Sequence, residues 1–339
     1  MRNGRLKLIV AGLVSSVALL GTTVLAGPAH ADPTPAGPLV GVKADDGATV
    51  VSTEWNQAEN YLIMNIASPA VGQTLPVALL LPQGWTPDTT KKWPTIMMLP
   101  GGGGDTYLTW AGATDLRSVA KPWNVIVICP EAGPKGTYTN YFNGGKGGPP
   151  QWETFHTQEV RQIVEKAFHG NGQRAVAGLS AGGYGSMIYA ARNPGMFKYA
   201  ASYSGLTSIR LPAVQWAVYY EAGDKDPSAR FGVPLVNAKN WQTHDPSYMA
   251  KYLKGTGLFV SSGMTGFPSN VSTLGWTPDQ TIEAATYLVN QDFVLQLRLN
   301  RVPVTTDFYP LGEHAWAEWN VELKKSWPLM MNAIGATQN

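Results

Sequence analysis

Arg174-Ala175-Val176-Ala177-Gly178-Leu179-Ser180-Ala181-Gly182-Gly183 joins a short apolar run to a Gly-x-Ser-x-Gly pattern, and a helix-compatible stretch continues from there to Arg192. The order is strand, sharp turn, helix. In such a turn the serine sits at the end of a buried strand, and glycines two residues to either side keep Cβ atoms out of the way as the chain doubles back. The helix that starts there aims its first N–H groups at the place where negative charge develops on a carbonyl under attack. Ser180 is the candidate nucleophile. The plainer alternative is a glycine-rich turn that holds a serine by chance.

Working outward, the continuous apolar run 95–99 leads straight into Pro100-Gly101-Gly102-Gly103-Gly104-Asp105. A strand that is apolar on both sides belongs at the centre of a sheet. The loop after it, with Gly101, Gly102 and Gly103, lets the backbone come close to a ligand and is placed to supply an oxyanion N–H. It is not a Walker-type phosphate loop, which ends in Gly-Lys-Ser/Thr where this chain has Asp105-Thr106. Strand-like runs at 49–53, 61–66 and 76–81 come earlier, the second with the alternation of an antiparallel, half-wet edge. Further runs at 125–129, 198–204, 258–262 and 304–309 alternate with helical stretches at 152–168, 279–300 and 319–332. That rhythm predicts an α/β fold with a mostly parallel central sheet flanked by helices. Residues 205–255 break it. They hold Trp216, Tyr219, Tyr220, Trp241 and Tyr252 among polar residues and prolines, and read as a cap-like insertion above the carboxyl ends of the strands, its aromatics packing it onto the body. The expected organisation is one domain over 49–339.

The chain opens with Arg2, Arg5 and Lys7, then a mostly apolar stretch, then Ala29-His30-Ala31, which fits small-x-small cleavage before Asp32. Residues 1–31 read as an export signal, 32–48 as a flexible lead-in, and the mature protein as secreted or envelope-associated, with no membrane span once the signal is removed. The 25 basic residues include the three in the signal, against 23 acidic ones, so the mature chain is close to neutral. Nothing in it resembles a basic patch for nucleic acid. Cys129 is the single cysteine and lies in an apolar run, so it reads as a small buried hydrophobe. No cysteine-based metal site is available, and no metal or organic cofactor is expected. Oligomeric state is not written in the sequence.

A nucleophilic serine needs a base, and the chain order in α/β-hydrolases is serine, acid, histidine, the histidine lying after the last strand. His314, in Leu311-Gly312-Glu313-His314, satisfies this. His156 and His169 precede the serine, and His244 lies within the insertion as a turn residue. Four carboxylates come into question for the acid. Asp279 and Glu283 rank nearly level on position, Asp292 follows, and Asp307 lies deep in the last strand. Asp279 also reads as a helix N-terminal residue.

The segments Gln151-Trp152-Glu153-Thr154-Phe155, Ala177-Gly178-Leu179-Ser180, Tyr199-Ala200-Ala201-Ser202-Tyr203-Ser204-Gly205 and Gly312-Glu313-His314-Ala315-Trp316-Ala317-Glu318-Trp319-Asn320 resemble the secreted mycolyltransferases of the antigen 85 type, within the esterase D-like branch of α/β-hydrolases. The resemblance spans most of the chain from about residue 76 onward. It implies Ser180 as nucleophile, His314 as base, Glu283 (in Ile282-Glu283-Ala284) as acid, the N–H groups of Gly102 and Ala181 as oxyanion hole, and Trp316 beside the site. The chain departs from the family where Pro100-Gly101-Gly102-Gly103-Gly104 replaces a segment with polar side chains that help hold trehalose, and where Ser261-Ser262-Gly263 replaces the family cysteine. The resemblance therefore carries the acyl-transfer machinery and not the sugar recognition. Three functions follow as expectations: a secreted esterase acting on acyl esters or lipids, an acyltransferase passing acyl groups to trehalose or an envelope glycolipid, and a non-catalytic wall- or matrix-binding protein on the same scaffold.

Overall fold

The computed structural model describes residues 39–133, 135–221, 226–267 and 277–339. The expected export signal at 1–31 and the first part of the lead-in lie outside them. Among the described residues nine strands form one sheet: β1 (Thr49–Asn56), β2 (Tyr61–Ser68), β3 (Gln73–Leu80), β4 (Trp93–Leu99), β5 (Ile126–Pro130), β6 (Gly170–Leu179), β7 (Tyr199–Tyr203), β8 (Gly257–Gly263) and β9 (Thr305–Tyr309). Their order is β1-β2-β3-β5-β4-β6-β7-β8-β9. The first three are antiparallel neighbours and β3 runs antiparallel to β5. From β5 through β4 to β9 every pairing is parallel. All seven residues of β4 are buried, as its unbroken apolar sequence requires of a strand covered on both faces.

The helices are α1 (Thr109–Ala113), α2 (Leu116–Ala120), α3 (Trp152–Thr154), α4 (Arg161–Ala167), α5 (Ala181–Arg192), α6 (Pro212–Glu221), α7 (Ala238–Thr243), α8 (Pro278–Leu299) and α9 (Trp316–Ala333). A π-helical segment, Phe155–Val160, joins α3 to α4, so the helix expected over 152–168 is continuous but widened at its middle. Side chains along β4 and β6 alternate between two apolar cores. Met97, Leu99 and Val176 join α4, α5 and α8 on one face. Ile96, Met98, Ala175, Ala177 and Leu179 join Trp110, Leu116, Trp319, Leu323 and Trp327 of α1, α2 and α9 on the other. This two-residue alternation is what lets one strand serve both cores. Cys129 is a buried free thiol in the second core, and burial pushes it up to about 12.

Residues 39–48 correct the lead-in expectation. Leu39, Ala44 and Ala48 are buried, the Gly41 N–H donates to the Val50 carbonyl, and Lys166 grips Asp45 at 2.7 Å. That expectation rests on the proline and small residues of 32–38. Within 39–48 the tight turn from Ala44 to Ala48, with Gly47 at φ 94°, folds the segment back on β1. Among the described residues no helix is long and apolar enough to cross a membrane.

Candidate active site

The turn after β6 has the geometry that its glycines permit. Ser180 stands at φ 51°, ψ −119°, a conformation costly for a residue with a Cβ, between the end of β6 and the first residue of α5. A Cβ on Gly178 would lie 2.2 Å from the Gly182 carbonyl oxygen, and one on Gly182 would lie 2.3 Å from that of Leu99. Both glycines are thus demanded by close approach of backbone to backbone. Gly182→Ala is expected to destabilise the protein by on the order of 3 kcal/mol, read as a lowered urea midpoint. An unchanged midpoint would mean that β4 and α5 can separate freely, contrary to the packing seen. The Ser180 N–H donates to the Tyr203 carbonyl at 2.9 Å, which ties the turn to the end of β7.

His314 follows β9 in the loop before α9, and its Nδ1 lies 2.8 Å from Oε2 of Glu283 on α8. Glu283 is wholly buried. Its Oε1 accepts from the Gly263 N–H at 2.6 Å, the Ser204 hydroxyl at 2.7 Å and the Ser262 hydroxyl at 3.2 Å, and its Oε2 accepts from the Thr286 hydroxyl at 3.3 Å. Burial alone would raise this carboxyl, but the hydrogen bond and charge of His314, together with Gly263 and Ser204, outweigh it and hold it below the usual range. A carboxylate on Nδ1 leaves Nε2 of the imidazole as the acceptor, the tautomer that can take a hydroxyl proton. Trp319 stands edge-on to the His314 ring at 4.9 Å and donates from Nε1 to Ser204 at 3.1 Å. Ser204 directly follows Tyr203, so a short run of contacts links the Ser180 turn to the Glu283–His314 pair at the carboxyl edge of the sheet.

The other carboxylates and histidines are occupied elsewhere. Asp279 is exposed in the first turn of α8, beside the capping box of Thr277 and Gln280. Asp292 is bound by Arg210 at 2.7 Å and by Ser208, and Asp307 by Lys325 at 2.6 Å. His156 lies in the π-helical segment between Tyr189 and the Glu131 carbonyl, and burial pulls it down to about 4. His244 is pulled down to about 4 by burial and by the charge of Arg192. His169 closes the α4 turn with φ 61°.

The glycine loop after β4 lies against the start of α5. A Cβ on Gly102 would come within 3.9 Å of the Ala181 Cβ, which puts these two residues side by side. The Gly101 N–H is taken by Asp105 Oδ2 at 3.2 Å. Gly103 and Gly104 have φ of 76° and 105°, a left-handed path that glycine follows without strain. The Tyr138 hydroxyl donates to the Pro100 carbonyl at 2.5 Å and Trp110 Nε1 to that of Leu99 at 2.9 Å. Trp316 packs edge-on against both Trp110 and Trp319, at 5.3 Å each. The sequence assigns no role to Ser204, Tyr138, Trp319 or Asp105. Ser204 and Trp319 lie in segments that carry the family resemblance, and Ser204 stands at φ 48°.

The insertion holds α6 and α7. Trp241 is buried and fastens it, and the Tyr184 hydroxyl donates to the His244 carbonyl at 2.9 Å. Trp216, Tyr220 and Tyr252 are exposed instead, so the expectation that its aromatics pack inward holds for Trp241 and not for these three.

The family model described as "Putative esterase" matches residues 68–330. The esterase Rv1288 of Mycobacterium tuberculosis is 29% identical over 208 residues, 59% of this chain and 45% of that protein, so the chain spans under half the length of this relative. The diacylglycerol acyltransferase/mycolyltransferase Ag85B of Mycobacterium intracellulare is 29% identical over 69% of this chain and 73% of its own length. Among solved structures, MPT51 of Mycobacterium tuberculosis superposes with a TM-score of 0.64 at 24% identity, covering 79% of this chain and 96% of that one. The serine hydrolase FphF of Staphylococcus aureus gives 0.63 at 24% identity, covering 80% and 98%. The shared fold is that of the α/β-hydrolases.

Proposed function

The chain belongs to the putative esterase family, and from that premise we propose that it is a secreted serine esterase that cleaves acyl esters through a covalent acyl-enzyme. The observation that carries this reading is the strained Ser180 turn tied through Tyr203 and Ser204 to the buried Glu283 and its half-buried partner His314. His314 Nε2 takes the Ser180 hydroxyl proton as Oγ attacks the ester carbonyl, and the N–H groups of Gly102 and Ala181 hold the oxyanion. Ala181 is the first residue of α5, so its N–H has no partner within the helix. Collapse of the tetrahedral intermediate expels the alcohol, which leaves with the proton from His314. Water then attacks the acyl-enzyme by the same route, giving the free acid and restoring Ser180. Gly101 and Gly103 shape the approach to the carbonyl, and Trp316 walls it. The basic start, apolar stretch and Ala29-His30-Ala31 site support export.

Transfer to a sugar or glycolipid hydroxyl is the second reading, favoured by the likeness to Ag85B. It shares every step but the last. Incubating the mature protein with an acyl ester, with and without trehalose, separates them. Free acid in both arms supports the esterase, and acylated sugar supports the transferase. No turnover of any acyl ester, with the protein folded, would leave the non-catalytic binding protein as the reading to pursue.

A further inference from the structure

The loop that passes Ser180 contains four consecutive glycines, the residue type that loses most conformational freedom on folding. An oxyanion donor is effective only if it is already aimed when charge develops, so a loop of this composition needs to be held. Two bonds fix its entrance: Trp110 holds the Leu99 carbonyl and Tyr138 the Pro100 carbonyl. A third reaches back from its far end. Asp105 turns its carboxylate onto the Gly101 N–H and lies against it so closely that a Cβ on Gly101 would sit 2.7 Å from Oδ2. Resting on the reading of Ser180 as nucleophile, we propose that Asp105 is a positioning residue for the reaction, closing the loop so that the Gly102 N–H faces the ester oxygen.

Among the described residues, His314 and Tyr138 face Asp105. His314 comes from the loop after β9, with Glu283 behind it, and Tyr138 from the segment before α3. Burial pushes the Asp105 carboxyl up to about 6, while the Gly101 hydrogen bond and the charge of His314 pull it down. Above about pH 6 it is therefore ionised, and the charged oxygen strengthens its bond to the Gly101 N–H.

Three proteins, the wild type, Asp105→Ala and Asp105→Asn, are compared in steady-state hydrolysis of a short-chain p-nitrophenyl ester from pH 5 to 9, with thermal unfolding of each. Asp105→Ala loses the clamp, and kcat is expected to fall by about 10- to 100-fold with KM within about threefold, because the loss falls on the transition state. Asp105→Asn keeps a carbonyl oxygen for Gly101 and should recover most of kcat. Because the amide does not titrate, Asp105→Asn should lack the fall in kcat that protonation of Asp105 near pH 6 adds in the wild type. Should the alanine variant fail to fold, the pH profile of Asp105→Asn still decides the matter. Unchanged kcat in a folded Asp105→Ala, or a profile of Asp105→Asn that falls as the wild type does, overturns the proposal. Ser180→Ala is run alongside. If it is inactive while Asp105→Ala is normal, the role of Asp105 falls alone, and if it retains turnover, the underlying reading of the site falls instead.

Discussion

Ser180→Ala is expected to lower kcat for acyl-ester hydrolysis by on the order of a million-fold, leaving only what the oxyanion donors and binding supply. On the proposed mechanism the size of the effect follows from the covalent step, since without Oγ no acyl-enzyme would form and His314 would have no hydroxyl to activate. Stability should hardly move. The strain at φ 51° arises from contact of Cβ with the backbone, and alanine keeps the Cβ. The Ser180 N–H bond to Tyr203 also survives, because it belongs to the main chain. The check is a pair of measurements on one preparation: turnover of a p-nitrophenyl ester, and the urea midpoint. Wild-type turnover in the variant would remove Ser180 from the chemistry, whereas lost activity together with a collapsed midpoint would point to a structural serine.

The parts of this fold that could be read in the sequence are those where one physical demand dominates. The run 95–99 is apolar throughout because β4 is covered on both faces, and Gly178 and Gly182 are glycines because carbonyl oxygens lie within 2.3 Å of where their side chains would be. Short helices left no such mark. With five residues each, α1 and α2 make barely more than one turn, too little for a period to show. The choice between Asp279 and Glu283 could not be made from position either. They are four residues apart and so share one stripe of α8, and their spacing looks the same to any helical template. Depth separates them, Asp279 lying in the exposed first turn while Glu283, one turn further in, is buried under β8 and the His314 loop. Asp105 was illegible for a different cause. Its bond to Gly101 exists only once four glycines have curled back, and no sequence pattern announces a path that glycine leaves open.

Glu283→Gln is expected to lower kcat by on the order of ten-thousand-fold while preserving the fold, because it sets the wrong tautomer of His314. The amide must present one oxygen and one NH2 where the carboxylate presents two acceptors. At the Oε1 position stands the Gly263 N–H, 2.6 Å away, a backbone donor that cannot reverse its role. At the Oε2 position stand His314 Nδ1 and the Thr286 hydroxyl, both able to accept. The amide nitrogen therefore goes to the His314 side and donates to Nδ1, which moves the imidazole proton to Nε2, where Ser180 requires a base. The same change alters stability with pH in a predictable direction. Glu283 is held below its ordinary value of 4.5 in the folded protein, so its ionisation contributes stability that is present above that pH and is lost as the pH falls through the lowered folded value. Glutamine does not titrate, so the variant should show a flatter loss of stability on acidification than the wild type. Urea unfolding at pH 7 and at pH 4 measures the second effect and ester turnover the first. A variant that keeps kcat within tenfold would mean that His314 is oriented by something other than Glu283, and the edge-on Trp319 ring would then be the contact to examine.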